Sequence, residues 1–149
     1  MKFATAVPTK GGSGKFPVDK CLDFIEEVGD SNGRIIIKND QEPSMQFLIK
    51  DLLEAREEGR SILEESPVKS SGSNGIVERG IQGIEGHVRA IFLAFSERMG
   101  GKVDSRDRIV TFIPEYAAYL LNRLEIGQDG KTAYERTKGK KPTVLGGQS

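Results

Sequence analysis

The sequence is poor in the residues that build metal clusters and cross-links. Its 149 residues include one cysteine, Cys21, and one histidine, His87. One cysteine excludes an internal disulfide. One cysteine with one histidine excludes a Cys/His zinc cluster, so any metal must be held by carboxylates. Tryptophan is absent. No apolar run approaches the ~20 residues that cross a bilayer. The opening Met1–Pro8 lacks the apolar stretch of a signal peptide. The expectation is a chain with no membrane segment, in a reducing intracellular compartment. Charge of one sign is not in excess either, with 22 basic and 22 acidic side chains. That balance excludes a uniformly basic nucleic-acid coat but leaves room for local patches.

The length suits one domain and hides about two thirds of the unfolded surface on folding. The neutral total conceals an uneven distribution. Lys2, Lys10, Lys15 and Lys20 face only Asp19 at the start. Between 42 and 65, seven acids stand against three bases. Lys131, Arg136, Lys138, Lys140 and Lys141 oppose only Glu135 near the end. The ends are basic and the middle is acidic.

Hydrophobic spacing gives the elements. Alternation over Lys2–Val7 predicts a short strand. Apolar positions 18, 21, 22, 25 and 28 predict a helix over Pro17–Val28, stopped by Gly29. This puts Cys21 on the buried stripe. The run Ile35-Ile36-Ile37 in Arg34–Lys38 predicts a strand buried on both faces. Pro43 opens a second helix that Gly59 ends, and Arg60–Glu65 is a weak strand. The stretch from Ser66 to Gly75 is rich in Ser and Gly and has almost nothing to bury. A long helix over Ile76–Met99 follows, with its apolar stripe at 77, 81, 84, 88, 91, 92, 95 and 99. His87 lies beside that stripe, as a surface or flanking residue. The last helix, Arg106–Asn122, contains Pro114, which is expected to kink or split it. The Gly- and Lys-rich segment beyond it reads as a tail, poorly ordered at its end. Alternating strands and helices imply an α/β sheet with parallel pairs. Two or three strands are few for seven elements, which points to strands missing from the front.

Two carboxylates stand out. Asp40 lies just past the carboxyl end of the Ile-rich strand, the edge where open α/β sheets bind ligands. By position alone it reads first as a turn or helix-start residue. Glu78 falls in the first turn of the long helix, where a carboxylate also suits the helix dipole. Together, on different elements and without nitrogen or sulfur donors, they suit a hard cation such as Mg²⁺ or Mn²⁺. Such ions serve phosphoryl transfer. Lys10-Gly11-Gly12-Ser13-Gly14-Lys15 sits between a strand and a helix as a P-loop would, but Thr9 and Phe16 break that pattern. It reads as a turn whose Lys10 and Lys15 approach nucleic-acid phosphates.

Ile35-Ile36-Ile37-Lys38-Asn39-Asp40-Gln41-Glu42-Pro43 resembles the second-aspartate strand of integrase catalytic cores from retroviruses and retrotransposons. Ser66-Pro67 followed by Asn74-Gly75-Ile76-Val77-Glu78-Arg79 resembles the flexible loop and catalytic-glutamate helix of that family. Thirty-seven residues separate Asp40 from Glu78, slightly more than is usual there. Asn122-Arg123 and Lys131-Thr132-Ala133-Tyr134-Glu135, then Gly139-Lys140-Lys141-Pro142, resemble the segment that follows the core in retrotransposon integrases. The resemblance spans about Lys2 to Pro142.

It implies a ribonuclease-H-like α/β fold, a mixed sheet flanked by helices, over 1–125, and a basic post-core segment over 126–149. It implies a triad of two Asp and one Glu holding two Mg²⁺ or Mn²⁺, with Asp40 as the second Asp and Glu78 as the Glu. The implied activity is DNA integration: trimming the ends of element DNA and joining them to target DNA, in the nucleus, by a homo-oligomer of the full-length protein. Ser70, Ser71 and Asn74 would belong to the loop that closes on DNA, and Lys138, Lys140 and Lys141 to backbone-phosphate contacts. The sequence departs from the family at the first Asp. No Asp precedes Asp19, which sits on an amphipathic helix. The expectation is a chain that starts after the first catalytic strand, either a fragment or a decayed copy, with little or no strand-transfer activity alone. A non-catalytic nucleic-acid-binding or assembly module of the same fold is the alternative.

Overall fold

The structure is a computed structural model. It describes residues 1–7, 15–39, 42–57, 59–65, 75–101, 103–104 and 106–143. The elements run α1 (Lys15–Glu27), β1 (Ile35–Asn39), α2 (Pro43–Ala55), β2 (Ser61–Glu65), α3 (Gly75–Arg98), α4 (Arg108–Leu124) and α5 (Ala133–Lys138). The protein is mixed α/β with a two-stranded parallel sheet. The chain divides into two compact units, Val7–Arg79 and Met1–Ala6 with Gly80–Ser149.

In the first unit, β1, α2 and β2 form a β-α-β crossover, the connection that parallel strands require. The register pairs Ile35 with Ser61 and Asn39 with Glu65. Pro43 occupies the first turn of α2, where its missing N–H costs nothing. Helix α2 packs on α1, burying Ile49, Leu52 and Val18. Cys21 on α1 is half-buried, and that burial pushes its thiol pKa up.

Arg56 caps the carboxyl end of α2 and is only 6% exposed. Its Nη2 donates to the carbonyls of Gly33 at 2.7 Å and Asp30 at 3.4 Å, and its Nε to Ser61 Oγ at 2.8 Å. A buried guanidinium is tolerated when its donors are used. Here they staple the turn before β1 to the first residue of β2.

The expectation that β1 is buried on both faces is not met. Its residues alternate, and Ile36 is 63% exposed beside its register partner Ile62 at 54%. A continuous apolar run marks a two-faced strand only when layers cover both faces. Among the described residues, no third strand joins the sheet.

The second unit has its core on α4, where Ile113, Ala117, Ala118 and Leu121 are buried with Asn122. Asp107 caps the helix by accepting from the Ile109 N–H at 3.0 Å. Pro114 lies inside α4 without splitting it. The residue lacks one helical N–H, but the buried positions on either side of it hold the helix as one element.

The strand expected over Lys2–Val7 is absent. Its backbone meets a side chain instead of a strand. The Lys2 N–H donates to Asn122 Oδ1 at 2.7 Å, and Asn122 Nδ2 donates to the Lys2 carbonyl at 2.7 Å. The carboxamide thus supplies both bonds that a strand neighbour would give. Thr5 Oγ1 donates to Glu115 Oε1 at 2.8 Å, and Lys2 Nζ pairs with Glu125 at 2.9 Å.

The segment beyond 126 is built rather than bare. Ile126 bridges Thr132 across a turn in which Gly130 has φ +74°. Thr132 then caps α5, accepting from the Glu135 N–H at 3.1 Å, and Gly139 closes it with φ +71°. Asp129 Oδ2 accepts from Arg136 Nε at 2.8 Å and Asp129 Oδ1 from Arg136 Nη2 at 3.0 Å. Oδ1 also accepts from the Lys131 N–H at 3.1 Å. These bonds pull the Asp129 carboxyl down to about 2, the Arg136 hydrogen bond contributing most. Any side chain at Gly127 would collide with the Arg136 guanidinium.

Candidate functional site

The parallel register sets the carboxyl ends of β1 and β2 side by side, with Asn39 opposite Glu65. Lys38 Nζ and Glu64 Oε1 pair across them at 3.3 Å. Asp40 is the next residue after Asn39. It lies outside the described residues, as do Lys10, Ser70, Ser71 and Asn74. Glu78 is described. It stands in the first turn of α3 and is exposed. That turn belongs to the same compact unit as β1 and β2. Asp19 is exposed on α1.

Among the described residues, no three His, Cys, Asp or Glu side chains gather as metal ligands. The donor chemistry of Asp40 and Glu78 is the all-oxygen kind that Mg²⁺ and Mn²⁺ prefer. The third carboxylate implied by the resemblance has no counterpart at an earlier position of this sequence than Asp19.

The basic positions are all exposed where described. Lys15 opens α1, Lys138 ends α5, and Lys140 and Lys141 follow it. His87 is exposed on α3.

A second surface was not apparent from composition. On α4, Phe112 is 64% exposed and Tyr116 52%. Tyr116 and Tyr119 lie nearly parallel, with ring centroids 6.4 Å apart and planes 11° apart. The Arg123 guanidinium sits 3.8 Å from the Tyr119 ring centre and 4.7 Å from that of Tyr134 on α5. An aromatic ladder therefore runs up α4, passes through a sandwiched arginine and ends on the basic helix α5. Such cation–π stacking holds rings and guanidinium in fixed planes. Residues 112, 116, 119 and 123 recur at helical spacing, and Thr132-x-x-Glu135 is a capping signature. Both signals are visible in the sequence.

Among the described residues, no helix is long and apolar enough to cross a membrane. Compared with known proteins, the sequence matches no family model and no curated protein.

Proposed function

We propose that this chain is a partial integrase-type catalytic core of ribonuclease-H-like fold, built for metal-dependent polynucleotidyl transfer on DNA. Asp40 and Glu78 supply two of its three carboxylates, and its substrates are retroelement DNA ends and target DNA, joined in the nucleus. One observation carries the reading. The two parallel strands end side by side, one directly before Asp40, and the turn bearing Glu78 shares their compact unit. Metal bound there, Mg²⁺ or Mn²⁺, would supply activation of an attacking oxygen and charge neutralisation at the leaving one. The chain's own carboxylates would orient it. With two carboxylates instead of three, the isolated chain is expected to bind metal weakly and join DNA poorly.

Mn²⁺ titration followed by amide NMR tests this. Paramagnetic broadening is expected at Asn39 and Glu78 together and should vanish in Asp40→Asn. Broadening at neither position, or broadening indifferent to the substitution, would sink the reading. Efficient metal-dependent joining by the isolated chain, lost in Asp40→Asn, would instead overturn the expected inactivity.

The aromatic ladder favours a second reading, a non-catalytic nucleic-acid-binding module. Exposed aromatic rings beside basic side chains are the parts of a single-strand stacking surface. That reading expects salt-sensitive, metal-independent DNA binding that weakens in Tyr116→Ala. Binding lost in Asp40→Asn only when metal is present would count against it.

A further inference from the structure

Arg56 is buried, yet the fold does not use its whole guanidinium. A guanidinium carries five N–H donors. Nε gives one to Ser61, and Nη2 gives two to the carbonyls of Gly33 and Asp30. Among the described residues, nothing accepts from the two N–H groups of Nη1. Nη1 is not walled off from solvent either. The residue is only 6% exposed, so whatever reaches Nη1 comes through the cavity that Arg56 lines. That cavity measures about 260 Å³ and lies within the first unit, between the carboxyl half of α1 and the end of α2.

Its mouth carries the opposite sign. Asp23 and Glu26 stand three residues apart on α1, line the cavity and are exposed. Glu57 and Arg60 line it as well but pair with each other at 3.0 Å. The cavity therefore offers one guanidinium at depth and two carboxylates at the rim. A desolvated cation with open donors favours an oxyanion. A polyanion such as phosphate would satisfy Nη1 but be repelled by Asp23 and Glu26. A simple amine would suit the rim and leave Nη1 idle. One kind of small molecule answers both ends, a carboxylate and an ammonium on one skeleton.

We propose that this cavity binds a free amino acid. The ligand carboxylate accepts from Arg56 Nη1, and the ligand ammonium donates to Asp23 and Glu26. With Glu57 and Arg60 neutralising each other, the site keeps one surplus negative charge. That surplus favours a basic amino acid, whose second ammonium balances it. The volume is that of about nine waters, which suits a molecule the size of lysine.

The inference is independent of the carboxylates assigned to metal, and its test reads binding, not catalysis. L-lysine is titrated into the isotope-labelled whole chain at constant ionic strength, followed by amide NMR. Shifts are expected together at Asp23, Glu26 and Arg56. Cadaverine lacks the carboxylate and acetate lacks the ammonium, so each should bind about tenfold or more weakly than lysine. Asp23→Asn and Glu26→Gln change exposed positions and should weaken lysine binding without lowering the melting temperature. Arg56→Lys keeps the charge but not the fork, and in it lysine and cadaverine should bind alike. Circular dichroism checks that this variant folds; the ligand series and the two rim variants decide without it. No shifts at about 50 mM lysine, far above a millimolar dissociation constant, would overturn the proposal. So would cadaverine binding as tightly as lysine in the unsubstituted chain, or lysine binding indifferent to the combined Asp23→Asn and Glu26→Gln change.

Discussion

At the residue scale, the best-defined side-chain geometry lies where composition suggested only a tail. Asp129 accepts two bonds from Arg136 and one from the Lys131 N–H. Its carboxyl is lowered to about 2 from an ordinary 3.8. A lowered acid stabilises the fold above its unfolded value and loses that contribution as pH falls through the folded one. The turn should therefore hold at pH 4 and above and open between about 4 and 2. Carboxyl NMR shifts of Asp129 check this, with Asp129→Asn as the variant already open at neutral pH. An apparent value near 4 in the folded chain would contradict it. The pair is half-exposed, so the effect is local. In the sequence Arg136 is one of several basic residues near the end. Its partner lies seven residues away across a turn, and only the folded turn brings them together.

At the element scale, the four longer helices were legible, while the short α5 and the burial of all of them were not. The expected bounds 76–99 for the long helix compare with Gly75–Arg98, because periodicity reports the helix directly. The same periodicity marks an apolar face without saying what covers it, and on α3 the stripe is at most half-buried. Alternation likewise signalled an extended start, but a strand also needs a neighbour's backbone, and Asn122 took that place. Arg56 shows the converse. From a buried position it joins the end of α2 to the turn before β1 and to the first residue of β2. Arg56→Ala would leave the Gly33 carbonyl and Ser61 hydroxyl short of partners. A loss of about 2 kcal/mol is expected, from the value of hydrogen bonds to charged groups. Urea unfolding should show a lower midpoint with an unchanged slope, and an unchanged midpoint would contradict the staple.

At the scale of the whole molecule, the two-stranded sheet leaves Ile36 and Ile62 exposed side by side. Among the described residues these two parallel strands have no further neighbour, which makes a weak unit with open edges. A modest thermal midpoint is expected for the isolated chain, below about 60 °C, with a tendency to aggregate. Calorimetry checks it, and a cooperative transition above that temperature would argue that the exposed face is covered in solution. Of the candidate site, the sequence carried two carboxylates of oxygen-donor chemistry, Asp40 and Glu78, of which Glu78 lies among the described residues, on α3. The distance between them is a tertiary quantity that spacing along the chain does not encode.

The bonds between Lys2 and Asn122 span 120 positions, and this has a consequence for how the protein is made. A ribosome adds roughly 5–20 residues per second. The opening segment must wait on the order of 10 s for the amide that receives it. During that interval the Val7–Arg79 unit emerges complete. Its folding therefore precedes that of the unit whose chain begins before it. A tag or fusion that encumbers Lys2 would interfere with the last event of synthesis, not the first.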